Sequence, residues 1–189
     1  MRHTFPVLAI GSAIALAFTA TAHGMGPGGH PMGPGNHPGM GHQPRRTILA
    51  FNSMYGVDGP FVGDANPVRG VVGDESPWEV KRALGSLDSE GNLLILIRGL
   101  VFKDNPDPTL IGKNDEPTFR GLVSCLTEQG TSVTEANVET AGFPATPNGD
   151  SFIHVKVTLP NPCVAPIIMV LAGSEEKWFS MTGFEAEGN

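Results

Sequence analysis

Apolar residues in this chain come in short runs broken by Gly, Pro, Asp and Asn, and no stretch of eleven or more residues keeps a helical period. The clearest pattern is Phe152-Ile-His-Val-Lys-Val-Thr-Leu159. Ile153, Val155, Val157 and Leu159 fall on one face, with His154, Lys156 and Thr158 on the other, which is the period of a half-buried strand. The segment Leu159 to Ala172 is different. Its end, Ile167 to Ala172, has no polar break and stops at Gly173, as expected of a strand covered on both faces. Leu93 to Val101 is nearly all apolar and pairs with Trp78 to Leu84 as a hairpin across Asp88-Ser-Glu-Gly-Asn92, a cluster of turn formers. Further strands are expected at Thr47 to Tyr55, Phe119 to Leu126, Ala136 to Thr140 and Trp178 to Phe184.

About eight strands without a helix predict an all-β fold, an antiparallel β-sandwich or related barrel over residues 46–189. Two long passages interrupt it. Gly56 to Pro77 and Lys103 to Pro117 carry Gly or Pro every few residues, and loops of this length are either packed as lids or functional. Each is acidic, with Asp58, Asp64, Asp74 and Glu75 in the first and Asp104, Asp107, Asp115 and Glu116 in the second. Hard oxygen ligands of this kind suit calcium, although the spacing matches no EF-hand and solvated carboxylates are the simpler reading.

The amino-terminal part does not follow the strand pattern. Residues 1–22 read as a secretory signal, with Arg2, an apolar stretch from Pro6 to Phe18, and Ala20-Thr21-Ala22 as the cleavage site. From His23 the composition narrows to eight Gly, five Pro, four His, three Met, one Asn and one Gln as far as Pro44, so there is no branched aliphatic or aromatic side chain to bury. Residues 23–45 are therefore expected to be a disordered tail. Within it, Met25-Gly-Pro-Gly-Gly-His30-Pro repeats as Met32-Gly-Pro-Gly-Asn-His37-Pro, and Met40-Gly-His42 is a shortened echo.

That repeat is the candidate chemistry. Imidazole accepts borderline metals and thioether is a soft ligand that selects Cu(I), so His23, Met25, His30, Met32, His37, Met40 and His42 are expected to bind a metal ion, with copper favoured. The bland alternative is a spacer. If His23 becomes the first residue, its imidazole and α-amino group resemble half of the histidine brace of oxidative copper enzymes. That resemblance rests on one residue and is followed by a Gly/Pro tract instead of a strand.

Export gives the two cysteines, Cys125 and Cys163, an oxidising environment in which to pair, and the absence of Cys-x-x-Cys favours a structural bond over a redox one. There are 12 Lys and Arg against 19 Asp and Glu; removal of Arg2 leaves about −8, which argues against nucleic acid and anionic membrane partners. No later segment is long and apolar enough to insert in a membrane. The expectation is an extracytoplasmic, soluble protein, periplasmic or secreted, without catalytic residues. It is read first as a copper handler, and second as an interaction module that binds a protein or glycan through the Gly56 to Pro77 loop while its tail is only a tether. A copper-dependent oxidative enzyme using His23 is third.

Overall fold

The computed structural model describes residues 45–184, all within the unit Gln43–Asn189. Among these residues there are strands and one 3-10 turn but no α-helix. One sheet has four strands in the order β1 (Thr47–Phe51), β4 (Trp78–Asp88), β5 (Asn92–Phe102) and β9 (Ser151–Lys156). The other runs β2 (Met54–Gly56), β11 (Lys177–Thr182), β10 (Val164–Ala172), β6 (Thr118–Gln129) and β7 (Ser132–Glu139). Two short pieces extend it: β3 (Val72–Gly73) pairs with β11 and β8 (Phe143–Pro144) with β6. Every pairing is antiparallel except β3 with β11, so the all-β antiparallel sandwich expected from the pattern is the fold.

The β4–β5 hairpin turns where the sequence places it. Asp88 Oδ1 accepts from the Glu90 and Asn92 amides at 2.9 and 3.0 Å, and Gly91 has φ 83, a conformation open to glycine. A Cβ on Gly91 would also lie 2.0 Å from the Val157 carbonyl oxygen. In β5 the continuous apolar run conceals an alternation: Leu93, Ile95 and Ile97 are fully buried, while Leu94 and Leu96 are half-buried on the outer face. Their inner side chains meet β6, where Gly121 leaves room for Ile95 and Leu93. An aromatic cluster ties the sheets together near one end, with Trp78 stacked on Phe179 at 3.9 Å and close to Phe102, and Phe119 edge-on to Phe179.

Cys125 and Cys163 are bonded, with Cα atoms 5.0 Å apart, and join β6 to the residue just before β10. In β10, Ile168 to Ala172 are all buried, which agrees with a strand covered on both faces.

Two expectations need correction. Thr47 to Tyr55 is not one strand: it breaks at Asn52-Ser53, where the chain leaves the first sheet and enters the second as β2. Ala136 to Thr140 is the end of a longer strand, because Ser132 to Glu135 pair with Gln129 back to Leu126 in a tight hairpin across Gly130. Apart from Val133 its exposed residues are polar, so the first half carries little apolar signal. Of the two alternatives for Gly56 to Pro77, the passage takes the packed one: Val57 and Val71 are buried, β3 joins β11, and the tip reaches across the second sheet. There Arg69 donates to the Ala165 carbonyl at 3.1 Å and accepts at its own carbonyl from Asn137 at 2.9 Å. This lid covers part of the outer face of the second sheet, with Phe61 edge-on to the buried Trp178.

Candidate functional site

His23, Met25, His30, Met32, His37, Met40 and His42 lie outside the described residues, as do the expected signal and the cleavage site. What the described domain does show is how its own metal-ligating groups are used. Both thiols are consumed by the disulfide. Met54 and Met169 are buried and Met181 packs against the core. His154 is exposed on the outer face of the first sheet, its ring 6.1 Å from Phe152.

The two acidic loops do not assemble a cation site, and among the described residues no three His, Cys, Asp or Glu side chains are grouped to hold a metal. Five of the eight loop carboxylates are taken up by side chains of the domain itself. Asp58 meets Lys103 across the two loops, and the ammonium holds its carboxyl below the usual range. Glu75 is bonded to Lys177, which lowers its pKa; Lys177 also meets Glu175, and the two carboxylates raise the ammonium. Asp107 accepts from the Thr109 hydroxyl and amide, at 2.7 and 2.9 Å. Glu116 accepts from Ser174 at 2.7 Å.

Asp74 is the one loop carboxylate drawn well into the fold. Its Oδ2 accepts from the Trp78 indole at 2.9 Å and from the Ser76 amide at 3.0 Å, and burial pushes its carboxyl above the usual range despite those bonds. Trp78 is 1% exposed, so this carboxylate is the partner of a buried donor. Its role is to hold the end of the lid onto the aromatic cluster.

A cleft of about 540 Å³ opens between β2 and the first half of β4, lined by Tyr55, Asp58, Glu79, Lys81, Lys103 and Phe184 among others. It is bordered by both signs of charge. Lys103 belongs to the Asp58 pair, which closes one wall.

The outer face of the first sheet has a simpler pattern. Cross-strand register places Leu84 beside Leu96 and Leu96 beside Phe152, an apolar row across three strands. Leu94 beside His154 forms the next row, and Phe152 is 51% exposed. Arg82 and Arg98 face each other at one end of these rows, and Lys156 stands opposite Asn92 at the other. The sequence held a sign of this face: Phe152 occupies the same register as His154 and Lys156, an aromatic residue on the polar side of an alternating strand.

The chain matches no family model, no curated protein and no solved structure. Among the described residues no helix is long and apolar enough to cross a membrane.

Proposed function

We propose that this is an exported, non-enzymatic β-sandwich protein that binds copper through residues 23–44. The observation that carries the reading is the repeated Met-Gly-Pro-Gly-(Gly/Asn)-His-Pro unit, which sets a soft thioether and a borderline imidazole five residues apart, twice, in a stretch whose other side-chain donors are His23, Met40, His42, Asn36 and Gln43. The chemistry of the domain supports it. Its thiols are bonded to each other and its methionines serve the core, so the thioethers left for a soft metal are those of the repeat. The disulfide is also in keeping with an oxidising, extracytoplasmic compartment.

The test is calorimetric titration of copper into the chain from His23 onward and into the chain from Arg45 onward. Both ions should bind the longer protein and bind the shorter one far more weakly. Replacing Met25, Met32 and Met40 should weaken Cu(I) selectively, and replacing His23, His30, His37 and His42 should weaken Cu(II). Equal affinity in the two proteins rejects the copper reading and leaves residues 23–44 as a tether.

A further inference from the structure

We propose that the outer face of the four-stranded sheet docks an acidic polypeptide segment of a partner protein, one that presents apolar side chains flanked by carboxylates. The inference is independent of copper and rests on a charge that the fold leaves unanswered. Arg82 and Arg98 sit directly opposite each other on β4 and β5, an arrangement in which like charges repel. One carboxylate serves the pair: Asp150 bonds Arg98 Nη1 at 3.0 Å and the Gly99 amide at 3.1 Å, on the side away from Arg82. Arg82 is exposed and has no ion pair among the described residues.

Next to this site of excess positive charge lies the apolar row ending in Phe152, and beyond it Lys156, six residues along β5's neighbour from Asp150. At about 3.3 Å per residue the cations bracket the apolar rows over about 20 Å, the span of six extended residues. The face is thus cationic at its ends and apolar between them, on a protein whose net charge is −7.

The same features select among occupants. A second copy of the face would set arginine rows against arginine rows. A bilayer needs several protruding apolar side chains, whereas on this face Phe152 alone protrudes and Leu84, Leu94 and Leu96 lie half-buried between strands. Leucines held this way contact apolar side chains laid across them, and arginine pairs carboxylates with two parallel donors.

The experiment uses the intact chain and a synthetic alternating Leu/Glu decapeptide, with Leu/Lys and Ser/Glu decapeptides as controls, followed by amide chemical shifts. Saturable binding of the Leu/Glu peptide is expected, more than about tenfold tighter than either control and weakened by salt, with shifts centred on β4, β5 and β9. Arg82→Glu and Phe152→Ser should each weaken it by about tenfold or more. Arg82→Glu should meanwhile keep or raise the melting temperature, because it replaces a like-charge pair by an opposite one, so lost binding is not lost folding. Equal binding of Leu/Glu and Leu/Lys peptides, or no effect of Arg82→Glu, overturns the proposal. So does the absence of saturable Leu/Glu binding, whether or not phosphatidylglycerol vesicles bind, and so does self-association abolished by Phe152→Ser.

Discussion

Asp74 and Asp88 are both loop or turn carboxylates, yet the balance between burial and hydrogen bonding falls in opposite directions for them. Asp74 is dominated by burial and its carboxyl is raised; the Trp78 indole and Ser76 amide only partly offset that. Asp88 is also penalised by burial, but the Asn92 side chain, the Asn92 and Glu90 amides and Arg45 together bring it below the usual range. A lowered carboxyl contributes stability that is present above its unfolded pKa, about 3.9, and is lost as pH falls through the folded value. Asp88→Asn should therefore be less stable than the parent near neutrality and converge with it below about pH 4, as read by urea unfolding at a series of pH values. For Asp74 the sign is reversed: a raised carboxyl favours the folded state on the acid side and opposes it as pH rises through the shifted value. Its hydrogen bonds still matter. Asp74→Ala removes the acceptor of a buried indole and should cost about 1–3 kcal/mol, while Asp74→Asn, which keeps an oxygen there, should cost less than half as much in the same denaturation experiment.

At the scale of elements, the disulfide fixes where β10 begins beside β6. Cys125 is fully buried in β6 and Cys163 stands just before Val164, which is paired with Leu126. The closed loop has a sequence separation of 38 residues and includes the β6–β7 hairpin and β9, so breaking the bond frees two sheets' worth of connections in the unfolded chain. Replacing both cysteines by Ser should lower stability by about 2–5 kcal/mol, measured by thermal and urea unfolding without reductant. Much of this was legible beforehand, because two cysteines flanking apolar strands have only each other. The strand ends were less so. Ser132 to Glu135 extend β7 through backbone pairing with β6, and Asn52-Ser53 end β1 because the chain must change sheets; neither event leaves an apolar periodicity to read.

For the whole molecule, the decisive division is between residues 23–44 and the sandwich. The first carries no aliphatic or aromatic side chain apart from Met, so removing it should leave the melting temperature of the domain within about 1 °C, a change worth well under 1 kcal/mol. Copper affinity should go with it. Cu(II) binding to the intact chain should weaken as pH falls through about 6.5, where protons compete for imidazole, whereas Cu(I) held by thioethers should change less; competition titrations at pH values on either side separate the two. In the acidic loops, by contrast, five of the eight carboxylates are already matched, to Lys103, Lys177, Trp78, Thr109 and Ser174.

The sequence alone determined the fold class, the β4–β5 turn, the doubly covered β10 and the cysteine pair, because each depends on local period, turn chemistry or the lack of any other partner. Its His and Met repeat likewise stands as a property of composition and spacing. Only the tertiary structure decided that Gly56 to Pro77 is a lid, that Asp74 is a buried acceptor, and that Arg82 and Arg98 share a row with no second carboxylate. Those facts depend on which strands become neighbours and in what register. Arg82 and Arg98 meet only through strand pairing, and Asp74, although its donors Ser76 and Trp78 are near in sequence, is buried only because the lid packs against β11; neither has a signature within any one segment of the chain.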